Sequence, residues 1–168
     1  VVYNHVYEYQ FSSLEKIVPN YFFRRRSNGK IANTSGCGND IASERPMAKK
    51  LIVDSAKWWI DFYGVDGFRF DLSGIITVKT VQEIIAYGKK KDPYFIAYGE
   101  GWNMGGEVNE PLLTMENHSL AKEYAFFNDK YREAVKRYSS GDLSAISQAK
   151  FVIAGSSVDF CGNQKMFS

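Results

Sequence analysis

The sequence predicts an α/β fold with a parallel sheet, and three features support this prediction. Short runs rich in β-branched and aromatic residues alternate with longer amphipathic segments along most of the chain. The resulting order of strand, helix, strand, helix, strand is typical of right-handed βαβ units. A content of 45% hydrophobic residues in a chain of 168 residues is sufficient for the buried core of a globular domain.

In the first half of the chain, the pattern predicts two strands and one long helix. The opening run "VVYNHV" is predicted to end a strand, and residues 7–44 are rich in turn-forming residues. An irregular segment of this length is more often a functional surface than a spacer. A helix is predicted from Ser43 or Glu44 to Gly64, because Pro46 suits its first turn and a glycine suits its C-terminal cap. Residues 65–72 follow as a strand.

The second half repeats this alternation. An amphipathic helix is predicted over residues 78–90, with three lysines at its negative end. A third strand is predicted over residues 94–100, a fourth in "YAFFND", and a helix in "KYREAVKRY". The tail from Ala149 onward has a mixed pattern that predicts no single element.

Composition excludes several functional classes. The 21 basic and 19 acidic residues nearly balance, and the basic clusters lack the interleaved aromatic residues that stack on bases, so we expect no nucleic-acid partner. No apolar run approaches the roughly 20 residues that span a bilayer, so we expect no membrane partner. Cys37 and Cys161, like the two histidines, have no metal-ligand spacing, and no metal site is predicted. The residues give no localisation. Because the chain lacks an initiator Met and opens within a predicted strand, we expect it to be a piece of a longer protein.

The stretch "GFRFDLSG" places charged residues in an otherwise apolar strand. Successive side chains of a strand point to opposite faces, so Phe68, Phe70 and Leu72 share one face. Arg69 and Asp71 share the other. Burial of unpaired charges is costly, so this face is predicted to be exposed, paired for structure or used for chemistry.

Polar residues stand at the ends of three predicted strands. Asn4 and His5 end the first, Arg69 and Asp71 the second, and Glu100 the third. In α/β sheets and barrels, ligands bind at the carboxyl ends of the strands. A single acidic residue at such a position is usually a turn residue or a helix cap, but three polar strand ends in succession indicate a site.

Two carboxylates at such a site suit glycoside hydrolysis, which uses one ionised and one protonated carboxyl group. Arg69 is expected to favour the ionised form of Asp71, as a nucleophile requires. The neighbours of Glu100 are apolar and aromatic, a setting expected to favour its protonated form. Trp102 offers a flat face for a sugar ring. The alternative is a structural ion pair between Arg69 and Asp71, with Trp102 in the core.

These residues resemble the signature regions of the α-amylase family, glycoside hydrolase family thirteen. "VVYNH" is similar to the first region, "GFRFDL" to the second and "GEGW" to the third, in the order of the family. Together with "GCGNDIASERPM", they most resemble type I pullulanases, a group that cleaves α-1,6 bonds in pullulan and branched starch. The resemblance covers roughly residues 1–138.

The resemblance implies a role for each matching residue. Asp71 would be the nucleophile and Glu100 the general acid/base, with Arg69 orienting Asp71. The remaining matches would bind or support the sugar: His5 by contacting it, Asn4 by supporting the site, Trp102 on the acceptor side, and Asn39 in a loop near substrate. The implied partner is an α-glucan polysaccharide or oligosaccharide. No cofactor is required; calcium is used by some members, but no ligands for it are identifiable.

The family fold is a (β/α)₈ TIM barrel, and the matching motifs cover about strands 3 to 6 of it. Residues 1–168 are therefore expected to be a fragment of a single catalytic domain. Three family features have no counterpart: the aspartate before "VVYNH", the "YNWGY" marker, and the His-Asp pair of the fourth region, since Ser119 follows His118. A half barrel has unpaired strand edges, so the fragment alone is expected to be inactive.

Three alternatives remain open. Another enzyme of the same family, such as an isoamylase, a branching enzyme or an α-amylase, would share these motifs. A non-catalytic glucan-binding homologue would share the fold without the chemistry. In an unrelated α/β protein, the acidic residues at the strand ends would be caps.

Overall fold

A computed structural model describes residues 1–154 of the chain. The chain divides into two compact units, residues 1–126 and the residues from Phe127 onward. Cys161 and most of the tail, for which no single element was predicted, lie outside the described residues. The assignment of residues 1–168 to a single catalytic domain stays a prediction.

The first unit contains a three-stranded parallel sheet, as the alternating pattern predicts. The strands are β1 (Gly67–Phe70), β2 (Ile96–Gly99) and β3 (Tyr124–Phe126), hydrogen-bonded in this order. Phe70 is opposite Gly99, and Gly99 is opposite Phe126. Because the strands are parallel, the residues that follow β1 and β2 emerge at the same edge of the sheet.

One long helix precedes β1 and another connects β1 to β2, and both confirm their predictions. Helix α2 (Pro46–Tyr63) has a proline at its first position, and Gly64 ends it in the left-handed conformation with φ 63°. Glycine adopts this conformation without steric cost. Helix α3 (Val78–Lys91) is the crossover between β1 and β2, and three lysines lie in its last turn. Their charges complement the negative end of the helix.

The buried face of α2 differs from the apolar stripe that helical spacing in the sequence predicts, which consists of Met47, Leu51, Ile52, Trp58, Trp59 and Phe62. Its buried residues are mostly small or β-branched: Ala48, Ile52, Val53, Ala56 and Ile60. The larger apolar residues of the same helix, including Leu51, Trp58 and Phe62, are exposed within the described chain. Small and β-branched residues allow a helix to approach its neighbours closely, as in the contact of α2 with α3.

Strand β1 separates two faces as predicted. Phe68 and Phe70 are buried in the hydrophobic core, whereas Arg69 points to the opposite face, where its side chain is 37% exposed. Leu72 was expected to continue the apolar face, and this was wrong. It follows the end of β1 and has a left-handed backbone with φ 41°. The chain turns at Leu72, so the strand ends two residues earlier than the apolar alternation suggested.

Residues 1–45 contain less regular structure than the long helices. No strand is present over residues 1–6, in contrast to the prediction, although Asp71 N donates a hydrogen bond to Val1 O (3.0 Å). Asn4 O accepts instead from Ile41 N (2.8 Å), so this segment divides its backbone bonds between two neighbours. The irregular region holds one 3₁₀ turn (Tyr9–Phe11) and the short helix α1 (Ser13–Ile17).

The second unit is helical as far as the structure describes it. Helix α4 (Asp129–Ser139) confirms the predicted helix, and the Asn128 side chain caps it by accepting from Tyr131 N. Helix α5 (Ile146–Ile153) lies partly in the tail for which no element was predicted. Over residues 1–154, no helix combines the length and the apolar character that a membrane span requires.

Candidate active site

The carboxyl edge of the sheet brings Asp71 and Glu100 together. Asp71 follows β1 directly, and Glu100 follows β2. Glu100 N donates to Phe70 O (3.2 Å), which continues the strand register past the end of β2. Two acidic residues 29 positions apart in sequence thus become neighbours, because α3 returns the chain to the opposite edge and the parallel strand β2 then ends at the same edge as β1.

Arg69 joins the two carboxylates. Its Nη1 donates to Asp71 Oδ1 (2.8 Å), and its Nη2 donates to Glu100 Oε1 (2.5 Å). The planar guanidinium can form both bonds because its donors point in fixed, different directions. The side chains of Asp71 and Glu100 are 29% and 15% exposed, so the site is partly shielded but open to a ligand. One guanidinium thus lies between two carboxyl groups at an accessible strand edge.

Asp71 is held in its ionised form. Partial burial acts to raise the pKa of its carboxyl group, but hydrogen bonds from Arg69 and Asn4, together with the charge of Arg69, outweigh burial and lower that pKa. The direction agrees with the expectation from "GFRFDL". An ionised carboxylate is the form that can attack an electrophilic carbon.

Asn4 and His5 support Asp71 from the segment beside β1. Asn4 is buried, and its Nδ2 donates to Asp71 O (2.6 Å) and Asp71 Oδ2 (3.3 Å). His5 Nδ1 lies 2.5 Å from Asn4 Oδ1. Because an amide oxygen only accepts, the network assigns the proton of His5 to Nδ1. A series of hydrogen bonds thus runs from His5 through Asn4 to Asp71.

The surroundings of Glu100 differ from the apolar setting that the sequence suggested. One carboxylate oxygen contacts Arg69, and the other, Oε2, accepts from Leu72 N (3.0 Å). Its backbone oxygen accepts from Ser73 Oγ (2.9 Å) and Gly74 N (3.2 Å). The apolar neighbours in sequence lie mainly on a strand, whereas the carboxylate contacts are made by a different segment, the turn after β1.

Trp102 and Asn39 occupy different environments. Trp102 is 41% exposed and close to this turn, since a Cβ placed on Gly74 would lie 1.9 Å from Trp102 O. Asn39 is buried, and its side-chain amide is hydrogen-bonded to Val6 N (3.0 Å) and Val6 O (2.7 Å). This geometry supports a role for Asn39 in holding the segment that carries Asn4 and His5. Its contact with substrate stays a prediction.

The sequence reading missed the turn formed by Leu72, Ser73 and Gly74 as part of the site. Its contacts with Glu100 involve two backbone amides and one hydroxyl. The small residues of "DLSG" directly after a strand were the available signal, since a close backbone approach favours glycine. No spacing rule indicates which distant residue such a turn will contact.

A groove of about 540 Å³ lies elsewhere in the first unit. It is formed by the N-terminal parts of α2 and α3, and its lining does not include Asp71 or Glu100. Its lysines are paired, for example Lys49 with Glu83 (2.7 Å) and Lys79 with Glu110 (3.3 Å). Residues 1–154 also contain no cluster of three or more His, Cys, Asp or Glu side chains that could hold a metal ion. The strand edge that carries Asp71 and Glu100 is therefore a better candidate for the active site than this groove.

Comparison with known proteins gives consistent matches. The chain is 44% identical over 137 residues to the pullulanase of Bacillus subtilis (strain 168), which covers 81% of this chain and 19% of the relative. It is 38% identical over 148 residues to pullulanase 1, chloroplastic, of Arabidopsis thaliana, covering 80% of this chain and 15% of that relative. No family model matches the chain.

A solved structure gives the same result at the level of the fold. The crystal structure of a pullulanase from Anoxybacillus sp. LM18-11 complexed with maltotriose matches with a TM-score of 0.89 and 42% sequence identity. The match covers 93% of this chain and 24% of that structure. The chain thus spans about a fifth of the B. subtilis relative and about a quarter of the solved one.

Proposed function

The chain belongs to the pullulanase family, and from this premise we propose that it forms part of the catalytic domain of a longer glycoside hydrolase. The proposed reaction is cleavage of α-1,6-glucosidic bonds in pullulan and branched α-glucans. In this proposal, the segment supplies about strands 3 to 6 of a (β/α)₈ barrel. The partner is an α-glucan; the similar Anoxybacillus enzyme was crystallised with maltotriose.

One observation carries the proposal: a single arginine holds two carboxylates at the carboxyl edge of a parallel sheet. Arg69 contacts both Asp71 and Glu100, and these are the residues that the resemblance assigns as nucleophile and acid/base. A cation between two carboxylates fixes their relative position before substrate arrives. Catalysis benefits from such preorganisation, because reacting groups need not be aligned at the moment of reaction.

The proposed mechanism is a double displacement with retention of configuration. A carboxylate oxygen of Asp71 attacks the anomeric carbon and forms a covalent glycosyl ester. At the same time, the bond from that carbon to the leaving oxygen breaks, and Glu100 gives its proton to this oxygen. Water then attacks the anomeric carbon, Glu100 takes a proton from the water, and the ester bond to Asp71 breaks.

The remaining site residues bind and orient in this proposal. His5 contacts the sugar that is cleaved, Asn4 supports Asp71, and Trp102 stacks on the acceptor side. Both reacting groups are side chains of this chain, so the reaction requires no cofactor. Calcium takes no part in the proposed steps.

The experiment that tests the proposal uses the full-length protein that contains this chain. We expect release of reducing ends from pullulan and none from amylose, which lacks α-1,6 bonds. Asp71→Asn and Glu100→Gln are each expected to lower kcat by roughly 10²-fold or more. Asp54→Asn is the matched control, because Asp54 is an exposed carboxylate of α2 outside the site, and it should keep full activity.

Each failure has a separate meaning. Cleavage of amylose in place of pullulan would replace the proposed bond preference with that of an α-amylase. If Asp71→Asn retains glucan affinity and the parent protein shows no turnover, a glucan-binding role replaces the enzyme. We expect the isolated 168-residue chain to be inactive, and pullulan cleavage by that chain would overturn this part of the proposal.

A further inference from the structure

A buried arginine, Arg24, forms an ion pair with the partly buried Glu44, and this pair has no part in the mechanism proposed above. The side chain of Arg24 is 2% exposed and contacts Glu44 twice, from Nε to Oε1 (3.3 Å) and from Nη2 to Oε2 (2.8 Å). Its Nη1 is buried and has no hydrogen-bond partner among residues 1–154. Such a buried charge pair contributes little net stability, because desolvation offsets the attraction. A contribution to stability therefore does not explain why a charged residue is buried here.

The backbone of Arg24 is fixed on both sides. Arg24 N donates to Asp40 O (2.8 Å), and Arg24 O accepts from Ala32 N (2.9 Å). With the backbone and the carboxylate of Glu44 both holding it, the guanidinium has a defined direction. From this position, Nη2 donates a second hydrogen bond to Ile75 O (3.1 Å). Arg24 thus connects a rigid part of the irregular region to the turn after β1.

This turn is the segment that holds Glu100. Leu72 N binds the carboxylate, and Ser73 Oγ and Gly74 N bind the backbone oxygen of the same residue. Leu72 has a left-handed backbone with φ 41°, a conformation that costs energy for a residue with a branched side chain. A strained turn needs support from its surroundings. Ile75, the residue after Gly74, ends the 3₁₀ turn that begins at Ser73, and its carbonyl is the group that Arg24 contacts.

We propose that Arg24 is a positioning residue that sets the location of Glu100 through the turn from Leu72 to Ile75. The inference rests on the proposed function, since it concerns the general acid of that reaction. Arginine suits the task because its fork of donors binds Glu44 and Ile75 O at once. The donors of a lysine ammonium at this position rotate freely, so a lysine could bind Glu44 but would not hold the carbonyl in a fixed direction.

The test compares Arg24→Lys and Arg24→Met in the full-length protein on two substrates. Pullulan has an alkoxide leaving group that requires a proton, whereas α-maltotriosyl fluoride has a fluoride leaving group that depends far less on a general acid. We expect kcat/KM for pullulan to fall by roughly 10²-fold and kcat/KM for the fluoride to fall by less than about fivefold. A purely structural defect would lower both values by the same factor.

Arg25→Met is the matched control. Arg25 is the next residue and also forms an ion pair, with Glu15 (3.1 Å), but the contacts of its side chain lie in the irregular region and not in the turn. This variant should keep the ratio of the two kcat/KM values. If Arg24→Met does not fold, Arg24→Lys retains the charge beside Glu44 and supplies the comparison.

Three results separate the possible failures. If the parent protein cleaves pullulan and both Arg24 variants keep the substrate ratio, Arg24 does not position Glu100. If both substrates lose activity equally in Arg24→Lys, the pair is structural only, and the inference is wrong. If the parent protein cleaves neither substrate, the proposed function itself fails, whatever the variants do.

Discussion

Asn4 holds Asp71 at two points, the backbone oxygen at 2.6 Å and the carboxylate Oδ2 at 3.3 Å, both from one amide nitrogen. The two residues are 67 positions apart, so this contact joins the first segment of the chain to the end of β1. It fixes the backbone of Asp71 and also favours the charge on its side chain. A single side chain therefore contributes both to the location of the proposed nucleophile and, together with Arg69, to its ionisation.

Asn4→Ala is predicted to raise the pKa of Asp71. The variant removes a hydrogen bond that favours the ionised form, while partial burial, which raises the pKa, persists. The acid limb of the pH profile of kcat/KM should therefore move to higher pH, and kcat should fall by about tenfold through the loss of positioning. Steady-state kinetics on pullulan across acidic pH checks both effects.

Asn28→Ala provides the control for this prediction. Asn28 is also an asparagine whose side chain binds the backbone, accepting from Lys30 N (3.0 Å), but it lies in an exposed turn. Its pH profile should match that of the parent protein. An unshifted acid limb in Asn4→Ala would mean that the Arg69 contact alone determines the pKa of Asp71.

The lowered pKa of Asp71 predicts how stability depends on pH. A folded-state pKa below the ordinary value of 3.8 means that the ionised carboxylate stabilises the fold. This stabilisation is fully present above the unfolded value and is lost as the pH falls through the folded one. The stability of the parent protein relative to Asp71→Asn should therefore be constant from about pH 7 to pH 5 and decrease below about pH 4.

Calorimetric unfolding of both full-length proteins across this range measures the effect as a difference in Tm. Asp54→Asn is again the comparison, because Asp54 is an exposed carboxylate of α2 far in sequence from the site. If the stability of the parent relative to Asp71→Asn instead rises on acidification, burial, and not Arg69 and Asn4, dominates the pKa of Asp71.

The position of the two carboxylates predicts the stereochemistry of the reaction. Retention requires carboxyl groups about 5–5.5 Å apart, whereas inversion requires a larger gap for a water molecule. Arg69 contacts both groups with one guanidinium, which draws them close. The first product released from pullulan should therefore be the α-anomer, detectable by proton NMR before mutarotation. Early appearance of the β-anomer would rule out Asp71 as a nucleophile in a double displacement.

The long helix and the order of the sheet could be predicted because they depend on local pattern. Helix α2 follows from its apolar spacing and its ends at Pro46 and Gly64, and the parallel order follows from the alternation of helices with strands. The segment over residues 1–6 was predicted as a strand, since its composition suits one. Strand pairing, however, depends on a partner edge, and here Asn4 O binds Ile41 N instead.

The candidate site could be predicted only in part for a similar reason. Asp71 and Glu100 stand at strand ends, a position that the alternation of elements reveals. The bond from Arg69 to Glu100 depends on the register between β1 and β2, which no single strand encodes. The turn at Leu72 was missed because its left-handed backbone falls on a leucine and not on a glycine, the residue that usually indicates this conformation.

Gly74→Ala is predicted to disturb the site through its backbone. A Cβ at this position would lie 1.9 Å from Trp102 O, far inside contact distance, so the turn or the segment after β2 must shift. Overpacking of this kind costs about 1–3 kcal/mol of unfolding free energy. Because Gly74 N also binds Glu100 O, the shift should lower kcat for pullulan by more than tenfold.

Gly29→Ala separates this close approach from a general effect of replacing glycine. Gly29 has a positive φ of 79°, and a Cβ there would meet nothing within 4 Å, so only backbone strain of about 1 kcal/mol is expected. Its activity should be unchanged, since the turn at residue 29 is remote in sequence from β1 and β2. If both variants lose the same stability and Gly74→Ala keeps full kcat, the contact between the turn and Trp102 does not position Glu100. A selective loss of kcat in Gly74→Ala would instead show that the acid depends on this backbone approach as well as on its own side-chain bonds.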